Sequence, residues 1–240
     1  MARSPELPIS KVESWQMFDR IYKRYDFINR LLSFGLDADW RKRLADFLPP
    51  LPQIELLDLA TGTGNVLLQL VPSVPAITKG FGMDLSAEML GKARRKVQQQ
   101  GLHHRIQIME GDVHQIPFHE NRFEAVTIAF GIRNAEDPEQ VLKEMLRVLK
   151  PSGRALVLEF SLPRNALMRG IFLFYLRHIL PHLGAFLSGD RNAYRYLNRT
   201  IEDFPFASKF CFMMKEAGFQ NIKETPLTFG VATIYQGEKP

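Results

Sequence analysis

Acidic residues follow the apolar runs of this 240-residue chain, and a glycine-rich loop lies next to the first of them. Asp58 is near the end of the run Ile54–Leu59, and the loop that follows contains Gly62 and Gly64. Glycine allows the backbone to turn sharply and to approach a ligand closely. Asp84 ends the next candidate strand, where a carboxylate can accept hydrogen bonds from both hydroxyls of a ribose. This spacing predicts a site for a nucleoside-containing cofactor.

Two residues around the loop indicate which cofactor the site would take. A dinucleotide fingerprint requires a third glycine where this chain has Leu67. Asp58 would repel a pyrophosphate and attract the ammonium and sulfonium groups of S-adenosylmethionine. The residues therefore favour S-adenosylmethionine. The alternative is a strand-to-helix turn that binds no ligand, because short glycine motifs are common.

A third acid, Asp112, lies in the loop after the apolar run at residues 106–109. A carboxylate in that loop can accept a hydrogen bond from an adenine amino group. Ligands of an open α/β sheet bind beyond the carboxyl ends of its strands, where all three acids would lie. We predict these cofactor-binding residues: Asp58, Gly62, Thr63, Gly64, Asp84, Asp112 and Val113.

Strands that alternate with amphipathic helices position these residues. The predicted strands cover 54–59, 78–83, 106–109, 123–130 and 154–160. The predicted helices cover 40–48, 86–100 with Ser86 as its N-cap, 139–150, and 206–217 ending at Gly218. We also expect Asn65 to cap the helix after the glycine loop, and residues 219–225 and 229–236 to form a closing hairpin. The alternation predicts an α/β fold with an open, largely parallel sheet.

Several segments are similar to one known family. The narrowest are Tyr-Asp-Phe-Ile-Asn at 25–29 and Phe-Gly-Ile-Arg-Asn at 130–134, and the loop at 58–64 and Leu-Glu-Phe-Ser at 158–161 add to them. From about residue 18 to residue 239, the chain resembles the class I S-adenosylmethionine-dependent methyltransferases, and within them the UbiE/MenG quinone-biosynthesis C-methyltransferases. The resemblance implies a Rossmann-like, seven-stranded, mostly parallel sheet with an antiparallel last strand. It also implies that Ala129, where relatives often carry serine, lies near the cofactor.

The N-terminal part is predicted to be helical, because apolar residues recur there at helical spacing. The resemblance implies that residues 1–50 form a helical lid over the cofactor. Tyr25 and Asn29 are four residues apart and share one helix face, so we expect them to contact substrate or cofactor from this lid. Residues 51–240 would form the methyltransferase core, with an apolar and basic insertion at about 162–205.

The implied reaction is methylation of a ring carbon of a polyprenylated quinol, in menaquinone or ubiquinone biosynthesis. A hydrogen-bond donor near the quinol oxygen would stabilise the phenolate whose electrons activate the ring carbon. Arg133 and Asn134, just past the fourth predicted strand, are candidates for this role. Since arginine stays protonated, we assign Arg133 a phenolate-orienting or water-orienting role. Its alternative is a structural salt bridge with Glu159 or Asp137. The predicted catalytic residues are Arg133, Asn134 and Tyr25.

The net charge of +5 is concentrated in one segment. Residues 161–200 contain six arginines and one acid, and residues 166–187 are densely apolar. Basic residues beside an apolar helix are typical of contact with an anionic membrane surface, although a basic stripe also suits nucleic acid. Arg169, Arg177 and Pro181 interrupt the run, which makes it a poor membrane-spanning helix. The alternative is a buried helix that covers the sheet. We expect transient membrane contact and no nucleic acid, and the sequence leaves an oligomer open.

The cysteine and histidine content and one missing motif argue against a disulfide-bonded protein, a metalloprotein and a hydrolase. The single cysteine, Cys211, excludes an intramolecular disulfide and indicates a reducing compartment, so we expect a cytoplasmic protein. The six histidines lack metal-ligand spacing, and we expect no metal. The Gly-x-Ser-x-Gly elbow of a hydrolase is missing. The alternatives are a methyltransferase for another small phenolic acceptor, a noncatalytic cofactor-binding subunit of a quinone-synthesis complex, and a nucleic-acid methyltransferase.

Overall fold

The computed structural model of the chain describes Arg30, Ser33, residues 35–181 and residues 198–240. The predicted helix that carries Tyr25 and Asn29 lies outside the described residues, as does the part of the insertion at 182–197. All of the predicted strands fall within the described part.

In the described part, seven strands form one sheet. They are β1 (Ile54–Leu59), β2 (Ile77–Asp84), β3 (Ile106–Glu110), β4 (Phe123–Ala129), β5 (Leu149–Phe160), β6 (Gln220–Leu227) and β7 (Ala232–Glu238). Their order across the sheet is β3-β2-β1-β4-β5-β7-β6. Strands β1 to β5 are parallel, and β7 runs antiparallel to both β5 and β6. The predicted mostly parallel, seven-stranded sheet with an antiparallel last strand is confirmed.

Helices connect the strands on both sides of the sheet. They are α1 (Asp37–Lys42), α2 (Asn65–Ser73), α3 (Ala87–Gln99), α4 (Pro138–Val148), α5 (Ala166–Phe174) and α6 (Ser208–Glu216). Short helical turns cover Arg43–Phe47, Ile132–Asn134, Tyr175–Ile179 and Thr228–Gly230. As predicted, Ser86 is the N-cap of α3, and its hydroxyl accepts a hydrogen bond from the Met89 backbone N–H. None of the helices in the described ranges is long and apolar enough to cross a bilayer.

The fifth strand begins earlier than the predicted residue 154. Helix α4 ends at Val148, and Leu149 already pairs with Phe123 of β4. The Ser152–Gly153 dipeptide is therefore a kink within the strand and not a turn before it. Ser152 has a φ of 62°, and a Cβ on Gly153 would lie 2.8 Å from the Lys150 carbonyl oxygen. The predicted helix at 139–150 therefore ends two residues too late, because Leu149 and Lys150 already belong to the strand.

The sheet is buried on both faces, which explains why its central strands are almost continuously apolar. Successive residues of a strand point to opposite faces. In β1, Leu56 belongs to one apolar cluster, whereas Leu57 and Leu59 belong to the other. All three side chains are 0% exposed. The packed sheet is thus a rigid base for the loops at the carboxyl ends of its strands.

Helix α1 is fixed by Trp40 over the carboxyl ends of β4 and β5. The Trp40 ring lies 6.3 Å from the ring of Phe130 and 6.0 Å from that of Phe160. Its indole N–H donates to the hydroxyl of Thr228, 188 residues further along the chain, at 2.9 Å. The turn between β6 and β7 therefore contacts the element that precedes the sheet.

Candidate active site

The carboxyl ends of β1, β2 and β4 meet at one edge of the sheet. Asp58 in β1 is level with Gly82 of β2 and with Thr127 of β4. The chain runs outward from β1 to β3 and returns on the other side of β1 as β4, so a crevice opens beyond β1. The structure places Asp58 and Asp84 at this edge, and Asp112 follows β3 in the same direction. This is the ligand-binding edge of an open α/β sheet.

Asp58 is a buried acid whose two oxygens accept hydrogen bonds from threonine hydroxyls. It is 1% exposed. Oδ2 lies 2.6 Å from Thr61 Oγ1, and Oδ1 lies 2.7 Å from Thr127 Oγ1. Burial raises the pKa of Asp58 to about 6, although these hydroxyls and the charge of Arg41 lower it. At neutral pH the carboxyl end of β1 therefore carries a buried negative charge.

The glycine loop is connected to β2 through Asp84. The Gly62 N–H donates to Asp84 Oδ2 at 2.8 Å, and the Ser86 N–H donates to Oδ1 at 3.0 Å. The loop needs left-handed backbone, with a φ of 55° at Gly62 and 79° at Gly64. A Cβ on Gly64 would also lie only 3.3 Å from the Cβ of Ala93 in α3. Glycine thus permits both the turn and its close packing against α3.

Lys96 of α3 fixes the polar side chains of the loop. Its Nζ lies 2.9 Å from Thr63 Oγ1 and 2.8 Å from Asn65 Oδ1. The expectation that Asn65 caps α2 is wrong. Gly64 is the N-cap, and Asn65 is the first helical residue, with its side-chain Oδ1 2.8 Å from Lys96 Nζ. Nothing in the sequence around Lys96 predicts these contacts, because a lysine on an amphipathic helix has no preferred partner.

Asp112 lies at the surface of the loop after β3 and is oriented by His114. Its Oδ1 accepts the His114 backbone N–H at 2.9 Å and lies 2.7 Å from the ring Nδ1. Burial raises the pKa of Asp112, but the hydrogen bonds with His114 outweigh it and the net pKa is lowered. Val113, between them, is half-buried and packs against the apolar cluster that contains Leu59.

The loop after β4 packs directly against the loop after β1. Phe130 takes a left-handed φ of 58°, as Ala60 does at 46° after β1. A Cβ on Gly131 would lie 2.7 Å from the Cβ of Ala60, so only glycine permits this approach. Ala129 is half-buried at the last position of β4. The two loops therefore form one continuous surface at the edge of the sheet.

Arg133 is buried in the turn after β4 and pairs with Glu159. Both side chains are 0% exposed, and Arg133 Nη1 lies 2.5 Å from Glu159 Oε1. The same nitrogen donates to the Phe130 carbonyl oxygen at 2.8 Å. Burial raises the pKa of Glu159, while the Arg133 charge lowers it. The alternative ion pair with Glu159 is thus present. Asp137 has another role, because its carboxylate accepts the Gln140 N–H at the start of α4.

The ion pair uses only part of the Arg133 guanidinium. Nε and Nη2 are buried and make no hydrogen bond with any described residue. The neighbouring Asn134 Oδ1 is also buried and unpartnered in the described ranges. Buried polar groups are almost always hydrogen-bonded, so these atoms are candidates to bind a partner that the described residues do not supply.

Arg41 is a second buried arginine at this edge, to which sequence reasoning gave no role. It is 5% exposed, forms an ion pair with Asp37 in α1, and its Cζ lies 5.2 Å from the centre of the Phe130 ring. Its charge also lowers the pKa of Asp58. In the sequence Arg41 directly follows Trp40, and nothing local to this dipeptide indicates its contact with the sheet. Within the described residues, no group of histidine, cysteine and acidic side chains could hold a metal ion.

The order and directions of the seven strands are those of the class I methyltransferase fold. The model of the ubiE/COQ5 methyltransferase family matches residues 9–239, and the chain belongs to this family. It is therefore an S-adenosylmethionine-dependent C-methyltransferase, and the family predicted from the residues is confirmed.

The sequence matches to named relatives extend over almost the whole length of both chains. The chain is 42% identical to the ubiquinone/menaquinone biosynthesis C-methyltransferase UbiE of Geotalea daltonii, over 93% of this chain and 95% of that protein. It is 43% identical to the demethylmenaquinone methyltransferase of Thermus thermophilus, over 93% of this chain and 100% of that protein. A crystal structure of a Thermotoga maritima S-adenosylmethionine-dependent methyltransferase has a TM-score of 0.67 at 19% identity, over 94% of this chain and all of that one, and supports the fold alone.

Proposed function

We propose that this enzyme transfers a methyl group from S-adenosylmethionine to a ring carbon of a polyprenylated quinol, with demethylmenaquinol as the first candidate and the benzoquinol precursor of ubiquinone as the second. The observation that carries the proposal is the buried Arg133 guanidinium with two unpartnered nitrogens beside the cofactor loop. An acceptor with an ionisable ring oxygen matches these donors.

The residues at the strand ends fit S-adenosylmethionine. The buried negative charge of Asp58 lies by the loop, where it would attract the ammonium and sulfonium groups. Asp84 accepts one backbone N–H on each oxygen, which fixes its carboxylate at the end of β2, where it would accept hydrogen bonds from the ribose hydroxyls. Asp112, Val113, Gly62, Thr63, Gly64 and Ala129 would complete the site. When bound, the cofactor supplies an activated methyl group.

Arg133 and Asn134 would orient the acceptor. The Nε and Nη2 groups of Arg133 would donate to the quinol oxygen and stabilise the phenolate that forms as the oxygen loses its proton. The electron density of the phenolate would make the ring carbon nucleophilic toward the methyl group that the cofactor supplies, and the displaced ring proton would pass to solvent water. Asn134 Oδ1 would accept a hydrogen bond from the second quinol hydroxyl or from a water molecule. Tyr25 would close the site from an N-terminal lid.

Helix α5 suits a substrate that resides in a bilayer. Leu167, Ile171 and Phe174 are 71%, 54% and 58% exposed, and their spacing puts them on one helix face. Phe172, on the other side of the helix, is 4% exposed and packs in the core. One face of α5 thus packs against the core of the protein, and the opposite, apolar face is available for contact with lipid. We propose that a cytoplasmic enzyme contacts the membrane transiently through this face.

The membrane contact can be tested by sedimentation with anionic vesicles. Ile171→Glu with Phe174→Glu should reduce the bound fraction several-fold, because two charges replace apolar contact area. Phe212→Glu is the matched control, since Phe212 is 64% exposed on α6, outside the proposed face. Equal loss in the control, or none in the double variant, would contradict the contact.

The activity is tested with radiolabelled S-adenosylmethionine and chemically reduced acceptors in detergent or vesicles. Demethylmenaquinone and the demethylated benzoquinone precursor are compared with a soluble phenol. Label in one quinone identifies the acceptor, and label in both identifies a shared enzyme. Label only in the phenol would refute the quinol assignment. Cofactor binding without turnover on any acceptor would indicate a noncatalytic subunit.

A further inference from the structure

His114 connects the loop after β3 to the beginning of α4. Its ring Nδ1 lies 2.7 Å from Asp112 Oδ1, and its Nε2 lies 3.3 Å from the backbone nitrogen of Asp137. The Asp137 N–H needs a lone pair on Nε2, so a neutral ring carries its proton on Nδ1. That proton is donated to Asp112.

The rest of the loop holds the imidazole ring in this orientation. The His114 carbonyl oxygen accepts the side-chain N–H of Gln140 at 3.3 Å, and Asp137 caps the same turn of α4. Helix α4 is itself anchored in the core by Val141 and Leu142, both 0% exposed. The ring is therefore held between a buried helix and the carboxylate that it contacts.

Both donors of His114 meet the same oxygen of Asp112. The backbone N–H and the ring Nδ1 each contact Oδ1, and no hydrogen bond from a described residue reaches Oδ2. The Asp112 side chain is 48% exposed, so Oδ2 is accessible to a ligand. A carboxylate fixed through one oxygen presents the other in one direction.

We propose that His114 is a positioning residue that occupies Asp112 Oδ1 and directs Oδ2 to the exocyclic amino group of the adenine base. The inference rests on the proposed cofactor site and deepens it, because it assigns the choice of base to the Asp112–His114 pair. A base with a carbonyl at that position would place two acceptors opposite each other and bind more weakly.

The test is calorimetric binding of S-adenosylhomocysteine and S-inosylhomocysteine, in which a carbonyl replaces the exocyclic amino group and the adjacent ring N1 carries a proton. The wild-type enzyme should prefer the adenine compound roughly tenfold or more, the range of a hydrogen bond to a charged group. His114→Phe keeps a planar ring without the donor and should lose most of this preference. His114→Asn supplies an amide donor and should restore part of it. His119→Phe is the control, since His119 is exposed elsewhere in the same connection.

The outcomes distinguish a failure of the positioning role of His114 from a failure of the proposed cofactor site. A folded His114→Phe variant that keeps the full preference, or that binds both compounds equally more weakly, would overturn the positioning role. Asp112→Asn should abolish the preference. If it does not, or if the wild-type enzyme shows none, the adenine role of Asp112 is wrong and the inference is overturned with it.

Discussion

The two sides of the crevice differ in how completely the protein pairs its own polar groups. On the β1–β2 side, Asp58 and Asp84 each accept hydrogen bonds on both oxygens. On the β4–β5 side, two nitrogens of the buried Arg133 and one oxygen of Asn134 have no partner among the described residues. A buried unpaired polar group costs roughly 1–3 kcal/mol. We infer that the cofactor side is ordered by the protein alone, whereas the acceptor side is completed by a ligand.

The largest effect is expected from Arg133→Lys. Lysine keeps the positive charge beside Glu159 but cannot present the two further N–H groups of the guanidinium. We expect kcat to fall by roughly 10²- to 10³-fold, as when a donor to a developing oxyanion is removed. Calorimetry should show cofactor affinity within about threefold of wild type.

Arg147→Lys is the matched control for this substitution. Arg147 pairs with Glu144 and donates to the carbonyl oxygens of Ile116 and Phe118, away from the crevice. It should lower the thermal midpoint and leave kcat unchanged. An Arg133→Lys enzyme with wild-type kcat would show that the Glu159 pair is purely structural.

Asp58→Asn should have opposite effects on cofactor affinity and on the stability of the enzyme without cofactor: affinity should fall and stability should rise. The buried charge attracts a cationic cofactor, so its removal should weaken S-adenosylmethionine binding on the order of tenfold to a hundredfold. The folded pKa of about 6 exceeds the ordinary 3.8, so burial destabilises the ionised form by up to about 3 kcal/mol. The contribution of Asp58 to the free energy of unfolding is therefore favourable at low pH and is lost as pH rises through about 6.

Thermal unfolding without cofactor at several pH values measures the second part of this prediction. At pH 8 the Asp58→Asn enzyme should melt above the wild type, and the difference should shrink as pH falls from about 6 to 4. A variant that melts lower at pH 8 would mean that the Thr61 and Thr127 hydrogen bonds outweigh burial.

The smallest effect on activity is expected from Gly131→Ala, at the point where the loops after β1 and β4 pack against each other. Gly131→Ala adds a Cβ at 2.7 Å from the Cβ of Ala60, and the φ of −114° is itself suitable for alanine. Overpacking should cost roughly 1–3 kcal/mol and raise KM for cofactor and acceptor together, because both loops must move. Gly170→Ala in α5 has open space and should be neutral or stabilising by about 0.5–1 kcal/mol. Denaturant unfolding and steady-state kinetics measure both, and equal behaviour of the two variants would contradict the close packing of the loops.

The sequence predicted the central strands to within a residue or two, because strands buried on both faces are nearly continuous apolar runs. It also predicted where Asp58 and Asp84 lie, since each acid directly adjoins such a run. The start of β5 was missed because Leu149 enters the sheet before the Pro-Ser-Gly kink, and local residue types do not encode that pairing.

Contacts made by long side chains were less predictable. Lys96 reaches Thr63 and Asn65 across 33 and 31 residues, and nothing in the local sequence selects these partners. For Arg133, the residues left a catalytic and an ion-pair interpretation open, and the structure shows the pair together with unused donors. The two interpretations were not exclusive, because a guanidinium has five N–H groups.

The hydrogen bond between Trp40 and Thr228 has a consequence for the order in which the protein assembles during synthesis. Strands β1 to β3 come from residues 54–110 and carry Asp58 and Asp84, two residues of the proposed cofactor site. Chains leave the ribosome from the N-terminus at about 5–20 residues per second. Helix α1 is synthesised before all of these strands, yet Trp40 can form its hydrogen bond only after Thr228, in the turn between β6 and β7, has been synthesised. About 120 residues separate the end of β3 from Thr228. At those rates, β1 to β3 are therefore synthesised roughly 6–24 seconds before the residue to which Trp40 donates its hydrogen bond.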